Sequence, residues 1–294
     1  MRSREWRSSG GVAKAARLPG VATSSRLRRC PLTDGQDLLP VRVRSGIAGL
    51  PLGGQTIILT GAAGGIGRLI SEALCEAGAK PILLDRPGDR LSALEQLVHG
   101  TAAEVRAADV TDRDTLTELI RELERARGAI EGLVNCAGLW QARPWHDIDD
   151  RAWETVLDAN LKSVFVCCQA VLPGMVERGS GAVVNFASTA GEYGSISPAA
   201  HYAAAKAGVI GLTKSLAREV GRYGVRVNAV SPGPTDTAAL GANTDEQKAR
   251  VAARTLLGRL GQPKEIADAV LYLVGPTSTF VTGHVLRVNG GALL

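Results

Sequence analysis

Short aliphatic runs alternate with longer amphipathic segments from Gln55 onward, and this alternation restricts the fold more than any other feature of the chain. Repeated strand-helix units build parallel sheets, so the pattern predicts an α/β domain. Runs that are apolar at consecutive positions, such as Ile57-Ile58-Leu59, indicate strands that helices cover on both faces. The predicted strands are 55–60, 81–85, 104–108, 131–135, 182–187, 225–230 and 285–288. The predicted helices are 66–78, 88–98, 112–127, 149–177, 200–220 and 263–274. We therefore expect one doubly wound domain of the Rossmann type over residues 51–294, with a seven-stranded, mostly parallel sheet.

Residues 1–50 differ from the rest of the chain in charge. They hold ten of the 34 Lys and Arg residues but only three acids, so residues 51–294 are close to neutral with 24 basic and 26 acidic residues. A neutral body offers no basic surface for nucleic acid, and no nucleic-acid partner is predicted. The Arg- and Ser-rich leader predicts a disordered extension. It could be a targeting peptide, a solvated tail or translation from too early a start codon, and the last two are favoured.

The cysteines and the longest apolar run indicate where the protein resides. Five cysteines without a repeated C-x-x-C pattern argue against a disulfide framework, and they predict a cytoplasmic protein without a metal site. The longest apolar run, Val164 to Val176, is interrupted by polar residues and proline and is too short to cross a bilayer. No membrane association is predicted.

A glycine-rich segment, Thr60 to Gly67, joins the first predicted strand to the first helix. Gly61 would permit a tight turn, and Gly65 would let the backbone approach a pyrophosphate. Gly67 would let the new helix, which begins near Ile66, pack closely. Because amides at a helix N-terminus favour anions, the segment predicts a dinucleotide site. A glycine-rich turn alone is weak evidence, and its position between strand and helix strengthens it.

The end of the second strand predicts which dinucleotide binds. Asp85 follows Gly67 by 18 residues, where a carboxylate can accept hydrogen bonds from ribose hydroxyls and would repel a 2′-phosphate. We therefore predict NAD(H) rather than NADP(H). Arg86 keeps the alternative open, since it could turn to meet a phosphate.

Two further strand ends are candidates for cofactor contacts. Asp109 and Val110 follow the third strand, where the carboxylate could reach an adenine amino group or equally well cap a helix. Asn135, Ala137 and Gly138 end the fourth strand, where small residues permit close approach of a ribose.

Tyr202 and Lys206 lie four residues apart on a predicted helix, so their side chains share one face. A phenol titrates at a pH of about 10, and a neighbouring ammonium would lower that pKa and make it a usable acid/base. Ser188 could donate a hydrogen bond to a substrate oxygen. Asn160 could hold a water near Lys206. Each residue also has an ordinary structural explanation, such as a solvated helical pair, a turn or a backbone hydrogen bond.

Taken in order, these motifs resemble the short-chain dehydrogenase/reductase family over residues 54–291. The resembling segments are Thr60 to Gly67, Asn135 to Gly138, Asn160, Ser188 with Tyr202-x-x-x-Lys206, and Ser231 to Thr237. The resemblance implies a Ser-Tyr-Lys-Asn tetrad in which Lys206 also binds the nicotinamide ribose. It further implies that Pro232 and Gly233, with Thr235 and Thr237, hold the carboxamide. It also implies that helices 149–177 and 200–220 pack between subunits of a dimer or homotetramer.

The sequence departs from the family pattern at three places. Cys136 replaces a more usual Asn, and Asn289 replaces a more usual Asp. The spacing from Ser188 to Tyr202 is one residue longer than the commonest one. The additional residue falls in the loop Glu192 to Pro198, where it would change the substrate pocket more than the chemistry.

These features favour an oxidoreductase that transfers a hydride between NAD(H) and a secondary alcohol or ketone of the 3-oxoacyl, sugar or cyclic-alcohol type. The alternatives are an NADPH-dependent 3-oxoacyl carrier-protein reductase and a non-catalytic NAD-binding regulatory protein. Substrate loops are predicted at Leu139 to Trp145, Gly191 to Ser197 and Thr237 to about Leu257. Trp140 and Trp145 in the first loop suggest an apolar or ring-shaped substrate, although they could equally well pack that loop.

Overall fold

Seven parallel strands form the centre of the computed structural model, which describes residues 52–237 and 244–292. Their order across the sheet is β3-β2-β1-β4-β5-β6-β7, and every pairing between neighbours is parallel. The strands are β1 (Thr56–Thr60), β2 (Lys80–Asp85), β3 (Glu104–Ala107), β4 (Gly132–Asn135), β5 (Gly181–Phe186), β6 (Val225–Pro232) and β7 (Val285–Val288). All seven predicted strands are confirmed within two residues. The predicted extension, residues 1–50, lies outside the described residues.

Helices cover both faces of this sheet. They are α1 (Gly65–Glu76), α2 (Asp89–Leu97), α3 (Arg113–Arg127), α4 (Asp150–Leu157), α5 (Ser163–Arg178), α6 (Thr189–Tyr193), α7 (Ala200–Val220), α8 (Asp245–Ala252) and α9 (Pro263–Val274). The short helices α6 and α8 were not predicted, because too few residues repeat in them to give a periodic pattern. Asp112 caps α3 by accepting a hydrogen bond from the Thr115 amide at 3.2 Å.

The apolar strand residues divide between two cores, one on each face of the sheet. Ile58 packs in the core that α3, α5 and α7 cover, while Ile57 and Leu59 pack in the core under α1 and α9. This division follows from the alternation of side chains along a strand. The prediction of a doubly wound sheet is therefore confirmed, and the continuous apolar runs are explained.

A π-helical turn, Asp158–Lys162, interrupts the predicted helix 149–177 and separates α4 from α5. The continuous helical segment Asp150–Arg178 is long and apolar enough to cross a membrane by length and composition. Half of its most apolar window is buried inside the domain, as in the core helix of a soluble fold.

The order of the strands reverses between β1 and β4, because β2 and β3 continue to one side of β1 while β5, β6 and β7 continue beyond β4. In open parallel sheets, ligands bind beyond the carboxyl ends of the strands at such a point. The predicted functional residues follow the ends of these strands and therefore share one edge of the sheet.

Candidate active site at the carboxyl edge of the sheet

The glycine-rich turn after β1 is packed too closely to admit side chains at two positions. Gly61 has φ +68°, and a Cβ placed there would lie 2.6 Å from the Cα of Ala137. A Cβ on Gly67 would lie 2.0 Å from the carbonyl oxygen of Gly61. The start of α1 therefore packs directly on its own preceding turn, and this turn packs on the segment after β4. The tight turn predicted at Gly61 and the close helix packing predicted at Gly67 are thus both present.

The N-terminus of α1 is suited to an anion. Its N-cap residue, Gly64, offers no side-chain cap, and the first turn contains no acidic residue. Gly65 is exposed and Ile66 is partly buried at this helix end. Free amides and the positive end of the helix dipole together favour a phosphate group, so the residues present fit a dinucleotide.

Asp85, at the end of β2, is bound to the glycine turn. Its Oδ2 accepts a hydrogen bond from the Ala63 amide at 2.8 Å, and its Oδ1 accepts one from the Arg86 amide at 2.8 Å. A carboxylate can accept about four hydrogen bonds, so two positions remain for ribose hydroxyls. The negative charge is thus held beside the turn.

Asp109 and Val110 follow β3 on the same side of the sheet. The Asp109 carboxylate is exposed and accepts hydrogen bonds from the amide and the hydroxyl of Thr111, at 2.9 and 2.7 Å. Its side chain therefore stabilises a local turn and does not cap α3. Val110 packs against the core beneath α3 and α5.

The segment after β4 joins the cofactor edge to the core. The buried Asn135 side chain donates a hydrogen bond to Asn185 Oδ1 at 2.9 Å, and Asn185 donates to Thr213 Oγ1 at 3.0 Å. These contacts link β4, β5 and α7. The Ala137 amide donates to Thr60 Oγ1 at 3.2 Å, which fixes the segment against the end of β1. The amide nitrogen of Asn135 is therefore occupied, whereas its buried Oδ1 has no hydrogen-bond partner among the described residues.

Ser188 and Tyr202 form the first half of the candidate catalytic cluster. Ser188 follows β5 and caps α6, its hydroxyl accepting a hydrogen bond from the Ala190 amide at 3.2 Å. Tyr202 lies in the first turn of α7, and its burial raises the pKa of the phenol, while the hydrogen bond with Ser188 acts in the opposite direction. The net shift is opposite to the expected one, because burial disfavours the phenolate more than its neighbours favour it. The phenol is therefore protonated at neutral pH.

Lys206 completes the cluster one turn further along α7. Its side chain is 4% exposed, its Nζ lies 5.7 Å from the centre of the Tyr202 ring, and the ammonium donates to the Phe186 carbonyl at 2.8 Å. Burial lowers the pKa of Lys206 to about 8, with a smaller opposing effect from Cys136. The predicted helical pairing is thus present in space, and the ammonium is still charged at neutral pH.

Asn160 lies in the π-helical turn and is fully buried. Its amide donates to the carbonyls of Leu139 and Val156 at 2.8 and 2.9 Å, and its Oδ1 accepts from the Leu139 amide at 3.2 Å. A Cβ placed on Gly138 would lie 2.7 Å from Asn160 Oδ1 and 3.5 Å from Lys206 Nζ. The missing side chain of Gly138 therefore leaves space beside both groups. The hydrogen bonds of Asn160 hold the start of the first substrate loop.

The segment after β6 contains the last of the predicted cofactor contacts. Pro232 ends the strand, and a Cβ on Gly233 would lie 2.6 Å from the Cα of Asn289. Thr235 is buried and donates a hydrogen bond to the Gly233 carbonyl at 3.0 Å. Thr237 precedes residues 238–243, which lie outside the described residues together with part of the third predicted substrate loop.

The first substrate loop is fastened to the start of α7. The Arg143 amide donates to the Pro198 carbonyl at 2.7 Å, and the buried His201 ring lies 3.4 Å from the Gln141 side-chain oxygen. Trp140 and Trp145 are both exposed and are available to a ligand. His201 could not be predicted from the sequence, because it adjoins Tyr202 but belongs to no spacing pattern of its own.

Glu192 belongs to the second predicted substrate loop, but its side chain contacts the neighbouring strands. Its carboxylate accepts hydrogen bonds from the Ser231 hydroxyl and from Arg287 Nε, both at 2.6 Å. The side chain is therefore occupied by β6 and β7 and is not a free substrate contact. Nothing in the spacing of the sequence could have paired residues nearly a hundred positions apart.

Comparison with known proteins agrees with this geometry. Residues 61–292 match the family described as enoyl-(acyl carrier protein) reductase. The chain is 38% identical to the 3-oxoacyl-(acyl-carrier-protein) reductase FabG of Vibrio harveyi over 240 residues, covering 82% of this chain and 98% of the relative. It is also 38% identical to 2-(S)-hydroxypropyl-CoM dehydrogenase 3 of Xanthobacter autotrophicus over 245 residues, covering 81% of this chain and 96% of the relative.

Two solved structures share the fold of this chain and about one third of its residues. A putative gluconate dehydrogenase of Agrobacterium tumefaciens superposes with a TM-score of 0.79 at 32% identity, covering 83% of this chain and 99% of the other. A 3-oxoacyl-(acyl-carrier protein) reductase of Brucella melitensis gives 0.78 at 34% identity, covering 83% and 93%. The chain belongs to the short-chain dehydrogenase/reductase family and is an oxidoreductase that transfers a hydride between a nicotinamide cofactor and a ketone or alcohol.

Proposed function

We propose that the protein uses NAD(H) to interconvert a secondary alcohol and a ketone of the 3-oxoacyl, sugar or cyclic-alcohol type. The observation that carries the proposal is the cluster of Ser188, Tyr202 and Lys206 at the same sheet edge as the glycine turn. These side chains can bind a substrate oxygen and exchange a proton with it. A bound nicotinamide would supply or accept the hydride.

Each side chain has one task in this proposal. The Ser188 hydroxyl donates a hydrogen bond to the substrate oxygen. In ketone reduction, Tyr202 gives its phenolic proton to that oxygen as the hydride reaches the carbonyl carbon, and in alcohol oxidation the phenolate takes the proton back. The Lys206 ammonium stabilises the phenolate, and its own pKa of about 8 keeps most of it charged at neutral pH. Asn160 would hold a water near Lys206, and its amide also donates to the Leu139 carbonyl at the start of the first substrate loop.

Asp85 supports the preference for NAD(H) over NADP(H). The carboxylate is held beside the glycine turn by the Ala63 amide, so its charge remains where a 2′-phosphate would lie. Residues Asp109, Val110, Asn135, Ala137, Gly138, Pro232, Gly233, Thr235 and Thr237 are assigned to the remainder of the dinucleotide site.

A second candidate is an NADPH-dependent 3-oxoacyl carrier-protein reductase. Two relatives that are 3-oxoacyl-(acyl-carrier-protein) reductases favour it. Within the described part of the chain, Arg86 is exposed and has no ion-pair partner, so it could turn towards a 2′-phosphate. Comparing kcat/KM with NADH and NADPH on one ketone decides between the candidates.

The proposed chemistry is tested by Tyr202→Phe, which removes only the phenolic oxygen. We expect the variant to bind NADH with unchanged affinity and to lose about 1,000-fold in kcat on a panel of ketones. Unchanged turnover would contradict the role of Tyr202. If the wild-type protein binds NADH but turns over no alcohol or ketone, a regulatory protein would replace the proposed enzyme.

We also propose a cytoplasmic homo-oligomer, a dimer or a tetramer, in which the segments 149–177 and 200–220 contribute apolar faces to subunit contacts. Exposed Trp153 and Phe165 on α4 and α5 support such contacts. The catalytic domain is proposed to be residues 51–294, without residues 1–50. Light scattering of the full chain and of a chain beginning at residue 51 measures both the assembly state and the dependence on the extension.

A further inference from the structure

Glu192 lies in the short helix that Ser188 caps, yet the proposed chemistry does not use its carboxylate. Its side chain is 10% exposed and binds the Ser231 hydroxyl and Arg287 Nε at 2.6 Å each, so both oxygens accept short hydrogen bonds. Hydrogen bonds to a charged group are stronger than neutral ones. Glu192 is therefore held firmly on two sides.

The register of the sheet explains why one carboxylate reaches both donors. Ser231 of β6 and Arg287 of β7 are partners across the two strands, so their side chains lie side by side on one face of the sheet. The side chain of Glu192 extends from α6 to Ser231 and Arg287. The carboxylate thus connects α6 with the last two strands of the sheet.

Close packing against α7 also holds α6 in place. A Cβ on Gly191 would lie 2.5 Å from the backbone carbon of Lys206, so α6 lies directly against α7. At its beginning, α6 is capped by Ser188. A shift of α6 along the sheet would therefore move the Ser188 hydroxyl relative to the phenol of Tyr202.

Ser231 lies immediately before Pro232 and Gly233, which are assigned to the nicotinamide carboxamide. Glu192 consequently joins the helix that orients the substrate-oxygen donor to the strand that leads into the nicotinamide loop. Resting on the proposed function, we propose that Glu192 is a positioning residue that fixes Ser188 relative to the hydride donor. The contact acts through α6 and β6 and does not touch the reacting atoms.

Glutamine weakens both contacts. If its oxygen accepts from Arg287, its amide faces Ser231, whose hydroxyl must turn from donor to acceptor, and neither hydrogen bond is then made to a charged carboxylate. Glu192→Gln therefore changes the contact without removing side-chain volume.

Glu104→Gln provides the matched control. Glu104 accepts hydrogen bonds from Arg106 and Arg127 at the amino end of β3, on the edge of the sheet opposite to the candidate site, and its side chain is 20% exposed. The same substitution there breaks a similar carboxylate-arginine contact but leaves α6 unchanged.

The experiment compares wild type, Glu192→Gln, Ser231→Ala and Glu104→Gln on one ketone with NADH and with 4-deuterated NADH. We expect kcat to fall by about 10- to 100-fold in Glu192→Gln, because misplaced reactants lose rate rapidly. NADH affinity should change by less than about twofold, and the deuterium isotope effect on kcat should increase. Ser231→Ala should also lower kcat. A variant that carries both Glu192→Gln and Ser231→Ala should lose little more kcat than Glu192→Gln alone. Glu104→Gln should retain wild-type kinetics.

The outcomes separate this inference from the proposed function. No turnover by wild type would contradict the proposed function itself. Active wild type with unchanged kcat and isotope effect in Glu192→Gln would overturn the role of Glu192, as would an equal loss of kcat in Glu104→Gln. If Glu192→Gln fails to fold, Ser231→Ala decides, and an unchanged isotope effect in that variant overturns the inference.

Discussion

The two halves of the candidate site are built in opposite ways. At the glycine turn after β1, side chains are missing, since a Cβ on Gly61 or Gly67 would collide with neighbouring backbone. At the start of α7, side chains are buried, and burial shifts the pKa values of both Tyr202 and Lys206. In the proposed function, the first, glycine half would bind the cofactor through backbone shape, and the second, buried half, which includes Ser188, would exchange the proton.

This difference predicts different responses to substitution. A change in the glycine half should alter cofactor affinity and leave the pH dependence as it was. A change in the buried half should alter kcat and its pH dependence while the cofactor still binds. Measurements of Kd and kcat on the same variants therefore test whether the halves are separable.

Among variants that keep the Tyr202 phenol, the largest effect is expected from Ser188→Ala in the buried half. Loss of one hydrogen-bond donor to a developing oxyanion costs about 100- to 1,000-fold in kcat. The NADH Kd, measured by fluorescence, should stay within about twofold of the wild-type value. A large rise in Kd would show that the two halves are coupled.

In the glycine half, Gly67→Ala should weaken NADH binding by about 10- to 100-fold. The added Cβ would lie 2.0 Å from the Gly61 carbonyl, and relieving such overlap costs about 1–3 kcal/mol. Gly53→Ala, just before β1, is the control, because a Cβ there has open space. That variant should bind NADH normally. Normal NADH binding by Gly67→Ala would contradict the assignment of the turn.

The pH dependence should show a smaller effect of the buried half. Ketone reduction should fall by about tenfold per pH unit above a pH of about 8, where Lys206 loses its charge. The stability of the ligand-free fold should change in the opposite direction. Since the folded-state pKa of Lys206 is lowered, the unfolded chain binds more protons between the folded and unfolded pKa values, and stability rises with pH there. Thermal unfolding of wild type and Lys206→Met measures this, because the variant should lack the rise.

The smallest effect is expected from Cys136→Asn, which restores the residue more usual in the family. Burial raises the pKa of the Cys136 thiol to about 12, so it is not a reactive nucleophile. We expect kcat and NADH affinity within about twofold of wild type, and no loss of wild-type activity with iodoacetamide at pH 8. Inactivation that Cys136→Asn prevents would assign the thiol a role in the site.

Sequence alone predicted the parts of the fold that depend on local pattern. The seven strands follow from runs of aliphatic residues, and the positions of Gly61 and Gly67 follow from the junction of strand and helix. The four-residue spacing of Tyr202 and Lys206 placed them on one face of α7. These features need only neighbours along the chain.

The remaining features depend on packing between distant segments. The direction of the Tyr202 pKa shift could not be predicted, because burial of the phenol is a property of the folded domain. The contact of Glu192 with Ser231 and Arg287 requires the register of two strands. The π-helical turn at Asn160 left no signature in the periodicity of the predicted helix 149–177.

That turn has a consequence for how the segment 150–178 can vary. A π-helical turn accommodates one residue more than an α-helix of the same rise, so the apolar stripe continues from α4 to α5 although the sequence between them is one residue longer. Removing one residue near Asn160 should therefore restore a continuous α-helix with the following side chains in place, whereas removing one residue inside α5 would turn every later side chain by about 100° around the axis. The middle of this segment can thus lose a residue without disturbing the packing of α5, at the expense of the position that Asn160 now holds.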